Sequence, residues 1–260
     1  MTARNILAIA AAAIAPVGLT ACGGSGAIGR LGELKRVART CPTHARFAAY
    51  VAWDVRRTLR GTRVAAARLE SLQRTAEKVA VCGGPLRVVA FGPTAASTAR
   101  LFDGELRARG ATQNARLLRV PHLVDQVIEQ VENGLPDVLA EVSGRGADPL
   151  SQFAAAEQFR RQLGAGYALH LVIETSGVVR DLPATESAAA TTSASEPATD
   201  TAVPDLRGSD VVVAGLGKTG RGTPMPSPAV EALRVFYRKV CERTKAASCL
   251  AITDLAPLEG

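Results

Sequence analysis

The chain has 260 residues, 47% of them hydrophobic, and its 31 Lys and Arg outnumber 24 Asp and Glu for a formal charge of +7. That hydrophobic share supports a full core and excludes a wholly disordered chain. Aromatic residues make up only 4%, so the stacking platforms that single-stranded nucleic acid needs are scarce and no nucleic-acid partner is expected. The basic excess suits anionic lipid or teichoic-type polymers, but the simpler reading is an arginine-rich surface reflecting biased base composition.

At the amino terminus Arg4 precedes an apolar run from Ile6 to Leu19, and the chain continues Thr20-Ala21-Cys22-Gly23-Gly24-Ser25-Gly26. A charged n-region, a short apolar h-region and small residues before the cut make a signal peptide, residues 1–21. The run is shorter than the roughly 20 residues a membrane span requires, and Pro16 and Gly18 break it. The sequence Leu19-Thr20-Ala21-Cys22 resembles the lipobox of bacterial lipoproteins. The resemblance implies a mature chain that starts at Cys22, is diacylated on sulfur, and is lipid-anchored to the cell membrane on its extracytoplasmic side. Residues 22–40 would then be a lipidated flexible tether, glycine-rich to about Gly32, and residues 41–260 the folded domain.

With Cys22 committed to lipid, four of the 5 cysteines remain: Cys41, Cys82, Cys241 and Cys249. An even number outside the cytoplasm predicts two disulfides. Cys241 and Cys249 read as a local bridge between the last helix and the last strand. No CxxC pair occurs, and His44, His122 and His170 are scattered, so a zinc site is poorly supported and each histidine reads as a surface or satisfied core residue.

Along the domain, short apolar runs alternate with helical periodicity. Phe47-Trp53 predicts a first strand, and Val64, Leu69, Leu72, Ala76 and Val79 predict a helix behind it. Leu86-Phe91 predicts the next strand. Residues Thr98-Phe102 and Glu105-Arg107 flank Asp103-Gly104, which predicts a tight turn in an antiparallel edge strand. Two helices follow, carried by Leu123, Val124, Val127, Ile128 and Val131 and by Phe153, Ala156, Phe159 and Leu163. Strands at Ala168-Glu174, Asp210-Leu216 and Leu250-Thr253, with a helix on Val230, Leu233, Phe236, Tyr237 and Val240, complete the pattern. Between the first two of these strands, a stretch at about 183–205 is rich in Ala, Ser, Thr and Pro and offers little to bury, so it reads as a long disordered surface loop. Strands separated by helices predict an α/β fold of three layers: a mostly parallel central sheet with one antiparallel edge strand and helices on both faces.

One glycine motif invites a nucleotide-binding reading. Gly215-Leu216-Gly217-Lys218-Thr219-Gly220 matches GxGxxG after a strand and nearly matches a phosphate-binding loop, but Val212 stands where that loop needs its first glycine. The three prolines between Arg221 and Pro228 delay the next helix to about Ala229, whereas a phosphate site needs a helix N-terminus at once. The motif therefore reads as a glycine-rich loop at the carboxyl end of a strand, the edge where open α/β sheets bind ligands. No GxSxG elbow, HExxH helix or pair of carboxylates in a cleft pattern is present, so no catalytic residue is assigned and an enzyme is not expected.

The order of elements carries a resemblance over Arg46 to Asp254. The first strand leads into Asp54-Val55-Arg56-Arg57-Thr58, the second ends Val88-Val89-Ala90-Phe91, Gly110-Ala111-Thr112 precedes a helix, the fourth strand runs into Thr175-Ser176-Gly177, and the fifth into Gly215-Leu216-Gly217. In this order and spacing the chain resembles the von Willebrand factor A domain. In that family Asp-x-Ser-x-Ser, a threonine and a later aspartate hold a divalent cation that bridges to a partner's carboxylate. The resemblance implies a degenerate adhesion site made of Asp54, Arg56, Thr58, Thr112 and Ser176. Asp54, Thr58 and Thr112 keep ligand oxygens, but Arg56 replaces the first serine and Ser176 the aspartate. A guanidinium donates and never accepts, so no cofactor is expected and a magnesium ion only against the charge of Arg56. Arg56, paired with Asp54, would instead capture the partner's carboxylate with its own fork. On this strand order Cys41 and Cys82 both fall at the lower edge of neighbouring parallel strands and would bridge, closing a loop of about 40 residues.

These readings make the chain an envelope lipoprotein that binds a protein or cell-envelope component. The alternative is a solute-binding lipoprotein of a transporter, which requires two lobes and a cleft.

Overall fold

A computed structural model describes residues 24–55, 63–142, 146–178, 203–218 and 225–255. Six strands, β1 (Arg46–Asp54), β2 (Gly84–Phe91), β3 (Thr98–Leu106), β4 (Tyr167–Glu174), β5 (Asp210–Ala214) and β6 (Ser248–Ala251), form one sheet in the order β3-β2-β1-β4-β5-β6. All neighbours are parallel except β2 and β3, which are antiparallel. The described helices are α1 (Gly24–Arg39), α2 (Arg63–Cys82), α3 (Gln113–Leu117), α4 (Val120–Glu141), α5 (Pro149–Leu163) and α6 (Ser227–Arg243).

The first strand shows why three layers form. Every residue of β1 after Arg46 is buried, which only a strand covered on both faces permits. Successive side chains alternate between faces. Phe47, Ala49, Val51 and Trp53 join a core with Leu72, Val79, Val124 and Val131 of α2 and α4, while Ala48, Tyr50 and Ala52 join one with Phe153 and Phe159 of α5 and Leu233 and Tyr237 of α6. The three alanines at 48, 49 and 52 let helices approach a central strand closely. His170, half-buried on β4 against the Phe47 ring, is held down at about 4 by burial first and then by Lys78.

Both expected bridges are present. Cys41 joins Cys82 beneath the amino ends of β1 and β2, and Cys241 of α6 joins Cys249 of β6.

Two expectations need correction. Asp103-Gly104 makes no turn, because β3 runs through it as a continuous antiparallel edge strand with Asp103 opposite Arg87 and Gly104 opposite Leu86. Cross-strand chemistry outweighs the local turn signal: the Asp103 carboxylate accepts from Arg87 at 2.8 Å and Arg100 at 3.1 Å. The segment expected to be a flexible tether is helical from Gly24. Leu34 is buried and Leu31 packs beside it against the α2 side of the core, Arg30 pairs with Glu77 of α2, and the 41–82 bridge ties down the chain just past the helix end. That apolar pair is what the glycine content hid. The signal peptide, Cys22 and most of the loop expected at 183–205 lie outside the described residues.

Candidate functional site

Strand order locates the site before any side chain is considered. From β1 the chain moves outward through α2 to β2, whereas from β4 it moves to β5 on the opposite side. The connections leaving β1 and β4 therefore lead to strands on opposite sides of this pair, and such a switch point is where open α/β sheets take ligands.

Two buried pairs lie at this switch point. Asp54, the last residue of β1, is fully buried, and one of its carboxylate oxygens accepts a 2.9 Å hydrogen bond from the Thr175 hydroxyl just past β4. Thr175 Oγ1 in turn accepts from the Gly177 backbone N–H at 3.1 Å, so one hydroxyl joins the first strand to the turn after the fourth. Arg68 of α2 spans the same gap from below. Its guanidinium donates to the Asp54 carbonyl at 2.7 Å and the Glu174 carbonyl at 3.2 Å, and its Nε lies 3.6 Å from the Glu174 carboxylate. Both side chains of that ion pair are inaccessible, Arg68 at 8% and Glu174 at 0%. Burial pushes the Glu174 carboxyl up from 4.5 to about 7, with the Arg68 charge and the Ser71 hydroxyl opposing but not cancelling the shift. A planar fork suits this task because it reaches two carbonyls and a carboxylate at once.

The glycine-rich loop after β5 packs beside these pairs. The N–H groups of Gly215, Leu216, Gly217 and Lys218 donate to the carbonyls of Asp254, Ile252, Ser176 and Gly215. A phosphate would need those donors free, so the loop is a packed corner and not an anion cradle. Gly217 sits at φ +78°, and a Cβ there would come within 2.6 Å of Val230. The next helix begins at Ser227, after the proline-rich stretch.

Of the residues assigned to the adhesion site, Asp54 and Ser176 come together at this edge, Ser176 buried with its carbonyl taken by Gly217. Thr112 does not join them. It follows β3, whose antiparallel course ends at Leu106 opposite Gly84, at the amino end of the parallel strands. There its hydroxyl accepts from the Ala115 N–H and caps α3. Antiparallel β3 reverses which edge the next loop reaches, and that is why the threonine lies at the wrong end. Arg56 and Thr58 lie outside the described residues.

The oxygen groups of the frame are the Asp54 and Glu174 carboxylates and the Thr175 hydroxyl, with the Ser176 hydroxyl next in the chain. Magnesium asks for near-octahedral oxygen coordination, and among the described residues no three of His, Cys, Asp and Glu converge. Among the described residues, the buried positive charge at this edge is the Arg68 guanidinium, and Lys218 lies more exposed beside Asp254. Sequence reasoning missed Arg68, Glu174 and Thr175. A signal existed: Arg68 stands four residues before Leu72 and eight before Ala76, a charge inside the apolar stripe of α2.

No protein-family model matches the chain, and no curated protein matches it.

Proposed function

We propose that the chain is a lipoprotein anchored through Cys22 to the outer side of the cell membrane, carrying a von Willebrand A-like domain that binds a protein or envelope component at the carboxyl edge of its sheet. The observation that carries this reading is the buried frame of Asp54, Thr175, Arg68 and Glu174 at the switch point between β1 and β4. A frame that costs buried charge, set at the edge where such sheets bind, holds the roots of two loops in fixed register. The mostly parallel sheet with its antiparallel β3, predicted from the alternation of strands and helices, is compatible with such a domain. Arg56, two residues beyond Asp54, is the group assigned to meet a partner's carboxylate, a recognition that needs no metal. The described strands form one sheet, whereas a solute-binding lipoprotein needs two lobes about a cleft.

A photoreactive residue at position 56 of the full chain, in its native cell, is expected to crosslink to a discrete partner, and one at exposed Lys239 on α6 is not. Crosslinks from position 239 with none from 56 would move the binding surface elsewhere. Calorimetric titration with magnesium or manganese is expected to show no specific heat; tight binding abolished by Asp54→Ala would restore a metal-dependent adhesion site.

A further inference from the structure

The amino edge of the sheet, opposite the frame, carries a cluster of exposed arginines, of which Arg46 and Arg107 pair with Glu105. A cavity of about 280 Å³ opens there between Ala38 of α1, Cys82 of α2, Arg107 after β3, and Gln113 and Arg116 of α3. Arg119 donates to the Arg109 carbonyl at 2.9 Å, which brings both onto the same rim. Arg36 and Arg39 flank Ala38 on the last turn of α1, the helix that packs against α3. Arg36, Arg39, Arg109, Arg116 and Arg119 are all exposed, and no ion pair among the described residues neutralises them. Among these arginines stands Leu118, 58% exposed and one of two large apolar side chains left in solvent among the described residues.

The start of the chain decides what this surface meets. Gly24, the first residue of α1, follows Cys22 by two positions, a reach of about 7 Å even when extended. An acylated Cys22 therefore keeps α1 at the headgroups, and the helix spans only about 24 Å to its basic last turn. Leu31 and Leu34 face the α2 side of the core, which leaves Arg36 and Arg39 outward. We propose that the basic surface of α1, α3 and the 107–119 segment docks on anionic phospholipid, with Leu118 entering the interface. Guanidiniums pair with lipid phosphates and an exposed leucine gains by leaving water, the two contributions that hold basic segments on anionic leaflets. Docked in this way, the amino edge faces the bilayer and the Asp54 edge, at the other end of the parallel strands, faces away from it. This inference rests on the lipid anchor proposed above.

The test uses the full lipidated chain in vesicles of phosphatidylcholine alone, or of two parts phosphatidylcholine to one of phosphatidylglycerol. Amide hydrogen exchange over 107–120 is expected to slow at least about fivefold on the anionic vesicles only, and to recover in about 0.5 M salt, because headgroup attraction is screened within a few ångströms there. The triple variant Arg109→Gln, Arg116→Gln, Arg119→Gln should lose the slowing while exchange in the β1 and β4 core stays unchanged. Equal exchange on both vesicles, slowing that survives the triple variant, or the same slowing from inorganic phosphate without vesicles would overturn the proposal. Failure of the anchor shows separately, as an unmodified Cys22 in the mass of the membrane-extracted chain, and an unacylated chain on phosphatidylglycerol vesicles answers the docking question by the same exchange.

Discussion

The two edges of this sheet hold their loops by different means. At the carboxyl edge the ends of β1 and β4 are joined by buried polar groups, Arg68 reaching two carbonyls and Glu174 while Thr175 reaches Asp54. At the amino edge the 41–82 disulfide joins the segments entering β1 and β2, and the charges around it stay in water. A covalent tie tolerates any surroundings, whereas a buried ionic frame is stable only while every member is present. The contrast teaches where change is tolerated: the arginine surface accepts substitution, and the frame does not.

The largest effect should come from removing one member of the frame. Arg68→Ala leaves Glu174 buried without its counter-charge and is expected to cost about 3–5 kcal/mol in chemical denaturation, whereas Arg68→Met combined with Glu174→Gln recovers most of it. The pair also has a pH signature. The Glu174 pKa is raised in the folded state, from 4.5 to about 7, so its contribution is fully present below the lower value and lost as the pH rises through the upper one. The stability difference between wild type and Glu174→Gln should follow that slope, with the His170 contribution cancelling, and a flat difference would mean the carboxylate is not buried as described.

Next comes the covalent tie. The bridge that spans 41 residues should be worth about 4 kcal/mol by chain entropy and the one that spans 8 about 2.5. Cys41→Ser with Cys82→Ser should therefore lower the denaturation midpoint further than Cys241→Ser with Cys249→Ser, and a reversed order would show that strain or residual structure dominates. A smaller effect separates the edges by packing. Gly83 at the amino edge has φ +73° with open space where a Cβ would go, so Gly83→Ala should cost about 1–2 kcal/mol for its left-handed backbone alone. Gly217→Ala adds a clash with Val230 and should cost about 1–3 kcal/mol more. The smallest expected change is Thr112→Ala, which removes the cap of α3 for about 1 kcal/mol and leaves partner binding intact.

The sheet was legible because its signals are strong and local. Val-rich runs such as Val88-Val89 and Val211-Val213 have few other folds open to them, and the cysteines flank strand ends closely enough to declare their pairing. Asp103-Gly104 misled because a turn signal reports local preference, while the edge strand answers to Arg87 across the ladder. Residues 24–39 misled because glycine content outweighed two leucines whose partners lie on α2, far along the chain. The site was half legible: Asp54 and Ser176 could be placed by motif order, but Arg68 joins the frame only through the packing of α2 under β1 and β4, a contact across 106 residues to the Glu174 carbonyl.

The most direct test of the account is the affinity of the partner captured from position 56, measured for the wild type, Arg56→Ala and Thr112→Ala in the same full chain. Binding at the carboxyl edge predicts a loss of about tenfold or more for Arg56→Ala, the scale of one charge-assisted fork, with Thr112→Ala unchanged. Unchanged binding for Arg56→Ala together with a loss for Thr112→Ala would contradict it and place recognition at the edge assigned here to the membrane.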